Sequence, residues 1–332
     1  MIIAFKSCSG GGAADTVITV ATLTSPFVST YPWSAGFGTR YANPATLPAG
    51  AGQDVMFSST STDIAVAHAT TPFISVYPWA AGYGTKYANP ATLPGGTGTG
   101  VAFAGTTDIA VSSSLTPFVL AYPWSAGFGT KYTNPATLPT GTGQDVAFNP
   151  GYTAIAVAHE VTPFVSAYPW SAGFGTKYAN PATLPTDNGQ GVNWSASGVD
   201  VAIAHSTTPF VSAYPWSAGF GTKYANPATL PTDTGNMVAW NPTSTDVAIA
   251  HATSPRITAY PWSAGFGTKY ANPATLPTGN GNSVVFSPTG ANIAVAHTTN
   301  PGVSVYPWSA GFGTKYADPA TLPGTSNGID FK

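Results

Sequence analysis

An all-β ring made of seven copies of one unit is the fold that the sequence predicts, and three observations predict it. The first is the segment YPWSAGFGTKYANPATLP, Tyr168 to Pro185, which recurs nearly unchanged. Its tyrosine stands at Tyr31, Tyr77, Tyr122, Tyr168, Tyr214, Tyr260 and Tyr306, in steps of 45 or 46 residues. The second is composition: 43% of the 332 residues are hydrophobic and 13% aromatic, only 7% are charged, and there are 37 Gly and 31 Pro. That mixture suits short strands joined by many tight turns. The third is that each repeat holds four short β-rich runs and cannot bury its apolar face without neighbours. Together they predict a seven-bladed β-propeller of four-stranded antiparallel blades over residues 14–332, with residues 1–13 as an accessory segment.

The copy from Gln144 to Gly189 shows the elements in order. Strand a is the apolar run QDVAFNP, closed by Asn-Pro, and strand b is AIAVAHE, an alternation of Ala with Ile and Val. Strand c is TPFVSAYPW; because proline in an internal strand removes a ladder donor, c is expected to end near Tyr168, leaving Trp170 at the start of the SAGFG turn. Strand d, TKYANPATLP, carries a mid-strand proline in every copy (Pro44, Pro90, Pro135, Pro181, Pro227, Pro273 and Pro319), which places it at the outer edge of the blade. Strand a has small residues (Ala102, Ala147, Ala239) beside its large ones, which suits the crowded axis.

Eight segments compete for seven a-strand places: Ile2–Phe5, six internal runs, and Gly328–Phe331. Phe331 follows Phe286 by 45 residues, in register with the repeat, so the C-terminal strand is predicted to complete the first blade and close the ring.

The run VVFSPTGANIAVAHTTNPGVSVYPW, residues 284 to 308, resembles a blade of WD40-like and YVTN-type propellers. Tyr306 and Pro307 stand where a WD40 blade has its Trp-Asp pair, and no Gly-His precedes strand a, so the hydrogen-bonded tetrad of that family is not expected. The near-identical blades are also similar to repeat propellers of tailed-phage virion proteins.

A ring turns each repeat position into a circle. Trp33, Trp79, Trp124, Trp170, Trp216, Trp262 and Trp308 either pack between blades, the favoured reading, or form a stacking platform. Arg40, Lys86, Lys131, Lys177, Lys223, Lys269 and Lys315 are seven of ten basic residues; they guard an exposed strand edge or form an anion-binding crown. His68, His159, His205, His251 and His297 end strand b in five blades and are expected to hydrogen-bond to the following turn, since ligands on splayed blades stand too far apart to share one ion.

Positions that break the repeat would mark a catalytic centre. Glu160 is the only glutamate, Arg256 replaces a Phe and Ser113 replaces a His; Asp63, Asp108, Asp200 and Asp246 read as turn residues. No paired carboxylates are evident, so the chain is expected not to be an enzyme and to need no cofactor or metal. The expected role is a phage virion or attachment component, a rigid disc docking a protein partner through the Trp and SAGFGTK face; the alternative is a soluble carbohydrate-binding propeller for a surface glycan. A lactonase-like hydrolase ranks below both. A net charge of -2 without a basic block argues against nucleic acid. The start of the chain has too short an apolar run for a signal peptide, and no stretch is long enough to span a membrane.

Overall fold

The computed structural model describes residues 15–332. Twenty-one strands form seven three-stranded antiparallel sheets, and no helix occurs among the described residues. In blade 4, strand a is Gly143–Phe148, strand b Ala154–His159 and strand c Val165–Pro169. Ile155 lies opposite Phe148 and Tyr168, and Val157 opposite Val146 and Ser166.

The alternation in strand b explains how blades meet. Period two sends Ile155 and Val157 to one face and Ala154, Ala156 and Ala158 to the other. Both faces are buried, and the alanine face of blade 4 packs against the bulky face of blade 5: Val192, Trp194, Val201, Ile203 and Tyr214. The same small-against-large contact joins blade 5 to 6 and blade 6 to 7, which lets sheets approach closely at a high packing density.

Ring closure occurs as expected. Strand Ser326–Phe331 pairs antiparallel with Val17–Thr22, setting Phe331 opposite Ile18 and Ile329 opposite Val20. These side chains pack with Val303 and Val305 of blade 7.

Two details differ from the sequence reading. The fourth run of each repeat lies beside strand c as an extended segment, held by one backbone bond such as Tyr178 N to Ala167 O at 2.9 Å, rather than as a full ladder. Pro181 has no N–H to offer the next rung. Strand c also extends one residue further, to Pro169, whose carbonyl accepts from Gly175 N in the turn. The accessory segment and the Ile2–Phe5 run lie outside the described residues. No helix of the described residues is long and apolar enough to cross a membrane.

Candidate functional site

The ring has two unlike faces. One carries the a-to-b and c-to-d turns, and the other carries the b-to-c turns and the loops entering strand a, around the axial mouth.

On the first face the seven tryptophans are buried, none above 8% exposed. Trp216 meets three rings edge-on: Tyr178 of the preceding blade at 5.1 Å, Phe220 of its own turn at 5.1 Å and Trp194 at 4.6 Å. Such edge-to-face pairs add to the area each indole buries. The aspartates before strand b are more than turn residues. Asp63 accepts from Tyr87 Oη at 2.8 Å and from Trp124 Nε1 of the next blade at 3.3 Å, and Asp200 and Asp246 make the same pair of bonds. Burial, reinforced by the Asp63 bond, pushes the Tyr87 hydroxyl up to about 12. Blade 7 has Asn292 in this place, and Asp15 completes it, accepting from Asn292 Nδ2 at 2.6 Å and Thr289 Oγ1 at 2.8 Å. Asp63, Asp200 and Asp246 thus each hold a Tyr–Asp–Trp bridge between blades.

The basic circle lies on the outer segments. Lys131 donates to Asn134 Oδ1 at 2.6 Å, and Lys86, Lys177, Lys223 and Lys269 each donate to the asparagine three residues on; Lys315 pairs with Asp318 and Arg40 reaches Ser29.

The histidines are fully buried and bond to the backbone of the following turn, as His159 does to Val161, and each also meets a hydroxyl on strand c: His159 Nε2 lies 3.0 Å from Ser166 Oγ, a bond repeated in all five blades. A threonine of the preceding blade approaches Nδ1 of His159, His205 and His251. His68 has Ala49 in that place, and its Nδ1 is buried without a hydroxyl partner among the described residues. Burial pulls all five imidazoles down to about 4.

The axial mouth is polar and breaks the symmetry. The second residue of each strand a lines it: Gln53, Thr99, Gln144, Gln190, Asn236, Asn282 and Asn327, joined by Asp54, Asp145, Met237 and Ser283, around a cavity of about 80 Å³. That is room for several water molecules. One arc satisfies itself: Asn236 donates to Gly281 O at 2.7 Å, Asn282 to Ser326 O at 2.9 Å, and Asn327 to Gln53 Oε1 at 3.2 Å. In the other arc the longer glutamines turn outward, Gln144 Nε2 to Glu160 Oε1 at 2.8 Å and Gln190 Nε2 to Ser206 Oγ at 3.0 Å.

The third position of strand a runs Gly328, Asp54, Gly100, Asp145, Gly191, Met237, Ser283 around the ring. Each aspartate leans over a glycine of the blade before it. A Cβ on Gly328 would stand 2.6 Å from Asp54 Cα, and one on Gly100 would stand 2.8 Å from Asp145 Oδ1, so only glycine leaves the space. Asp54 accepts Val101 N at 3.0 Å, and Asp145 accepts Val146 N at 2.8 Å and Val192 N at 2.9 Å, tying neighbouring blades at the axis.

Larger depressions lie among the c-to-d turns of the first face. One of about 440 Å³ is bounded by Tyr132, Asn134, Phe174 and Thr176, and another of about 340 Å³ by Trp216 and Phe220. Tyr132 is engaged with Asp108 and Asn134 with Lys131, and neither depression is lined by a carboxylate. Size and chemistry therefore separate, and the carboxylates sit at the small axial cavity.

The sequence matches no protein family and no curated protein. The fold matches solved propellers. A Bacteroides uniformis protein provisionally named a 6-phosphogluconolactonase superposes with a TM-score of 0.68 at 13% identity, covering 96% of this chain and 100% of that one. The periplasmic gluconolactonase PpgL of Pseudomonas aeruginosa gives 0.68 at 13% identity, covering 96% and 99%. The Cps50 (Swd1) β-propeller domain of Myceliophteria thermophila gives 0.59 at 11% identity, covering 82% and 89%. At these identities the likeness shows the seven-bladed fold.

These neighbours correct the expectation of a non-enzymatic chain, whether virion docking disc or carbohydrate-binding propeller. Solved structures spanning nearly the whole ring bear lactonase names. The sequence hid the acidic mouth for a physical reason. Asp54 and Asp145 belong to different blades and meet one cavity only when strand a of every blade is brought to the axis.

Proposed function

We propose that the chain is a lactonase-like hydrolase that opens a hydroxylated sugar lactone at the axial mouth. The observation that carries this reading is the mouth itself: carboxamides, hydroxyls and carboxylates converge on one cavity, and the only glutamate is hydrogen-bonded to its wall through Gln144. The lactonase names of full-length structural neighbours support it.

A carboxamide has two N–H donors and a carbonyl acceptor, and Gln144, Gln190 and Asn236 each use one N–H within the protein, which leaves a second for a sugar hydroxyl without any net charge. Asp145 spends both oxygens on backbone N–H groups and holds the blades in register. Glu160 has no such backbone tie and is assigned the base. Its carboxylate takes a proton from water as the water oxygen bonds to the lactone carbonyl carbon, and carboxamide N–H groups stabilise the resulting oxyanion. Collapse breaks the ring C–O bond, the proton passes to the departing alkoxide, and the product is a hydroxy acid that ionises in water.

The test is acid release from glucono-1,5-lactone above the spontaneous rate. Glu160→Gln keeps the Gln144 contact possible but removes the base, so kcat should fall by about 100-fold or more. Unchanged turnover in the variant, or none in the wild type, would refute the assignment.

A further inference from the structure

We infer that this mouth selects an uncharged lactone and rejects a phosphorylated one; the inference rests on the hydrolase reading above and narrows its substrate. A phosphate ester carries up to two negative charges at neutral pH, and an enclosed site must answer them with cations or clustered N–H donors. The mouth supplies the opposite. Asp54 and Asp145 line it, Glu160 stands behind Gln144, and no Lys or Arg is among the lining residues. Like charges brought together in a partly desolvated site oppose binding, more strongly than in water.

The repeat's cations and Arg256 are engaged elsewhere. Arg256 is the one on the b-to-c turns of the mouth face, and its guanidinium donates to Asn280 Oδ1 at 2.8 Å and to Ala252 O at 3.3 Å, outside the lining. Lys86, Lys131, Lys177, Lys223 and Lys269 lie on the outer segments with their asparagine partners, and Lys315 with Asp318.

The rim beside Glu160 is also unsuited to phosphate. Val161 and Leu115 occupy the b-to-c turns of blades 4 and 3, at 49% and 57% exposure, where other blades have Thr70, Thr207, Thr253 and Thr299. Thr142 Oγ1 bridges towards Ser114 O at 3.4 Å, and Glu160 N bonds Thr142 O at 3.1 Å, so the two turns adjoin. A phosphate laid over them would lose hydration and gain no donor, whereas a neutral hydroxymethyl arm would lose little.

The experiment compares kcat/KM of the full chain for glucono-1,5-lactone and for its 6-phosphate. Wild type is expected to prefer the neutral lactone by at least about tenfold. Gln190→Lys, which sets a cation at the mouth, is expected to raise the phosphate-to-neutral ratio several-fold. Equal or faster turnover of the phosphate ester, especially if Arg256→Gln abolishes it, would overturn the inference and leave the hydrolase reading standing. An unchanged ratio in Gln190→Lys would overturn its electrostatic basis. Hydrolysis of neither compound would overturn both.

Discussion

The two faces of the ring use the same repeat in opposite ways. On the turn face, Trp, Phe, Tyr and, in four blades, Asp recur at matching positions and spend their polar atoms on one another, as in the bonds from Tyr87 and Trp124 to Asp63. On the mouth face the corresponding positions diverge: Asp alternates with Gly, Gln gives way to Thr or Asn, and Glu160, Leu115 and Val161 each appear once. A repeated contact suits a task needed at every blade junction, which is holding the ring. An asymmetric lactone needs a different group at each atom, and only the face that has departed from the repeat can supply them.

The largest effect that would sharpen this contrast lies at closure. Deleting Gly328–Lys332 removes Ile329 and Phe331 from the core, each worth about 1.5–3 kcal/mol of burial, and strips the ladder from Val17–Thr22. The cooperative unfolding transition should move sharply to lower denaturant or vanish, and an unchanged midpoint would contradict ring closure.

Next comes a paired substitution, one on each face. Trp216→Ala empties a site between three aromatic rings and should cost about 3–5 kcal/mol in urea unfolding. Gln190→Ala loses one half-buried hydrogen bond and should cost about 1 kcal/mol. Similar costs at the two positions would break the division between a holding face and a working face.

A smaller, graded effect is expected with pH. The buried histidines titrate at about 4 in the fold, against about 6.5 in an unfolded chain. Between those values the unfolded state binds more protons, so stability rises with pH. The contribution is complete above about 6.5 and is lost as pH falls towards 4, at up to roughly 1.4 kcal/mol per pH unit for each histidine. The urea midpoint should therefore drop steeply below pH 6, and His205→Gln should flatten the slope; a level profile would contradict neutral, buried imidazoles.

The fold was legible because its signals are local and repeated. A fixed period, strand-length apolar runs and a proline in every fourth run predicted seven blades, their outer edge and the closing strand. The site was less legible. Glu160 stood out as the only glutamate, but its link to Gln144 crosses from the b-to-c turn to the start of strand a. The alternation of Gly328, Asp54, Gly100 and Asp145 has meaning only when neighbouring blades face each other at the axis. The Tyr–Asp–Trp bridge was hidden for the same reason, since Asp63 and Trp124 lie 61 residues apart.

The most direct test of the central claim is a side-by-side measurement of glucono-1,5-lactone hydrolysis by wild type, Glu160→Gln and Lys177→Gln, the last altering the outer segment. The account predicts turnover above the spontaneous rate that collapses in Glu160→Gln and persists in Lys177→Gln. Turnover that survives Glu160→Gln, or that falls equally in both variants, would contradict a catalytic mouth.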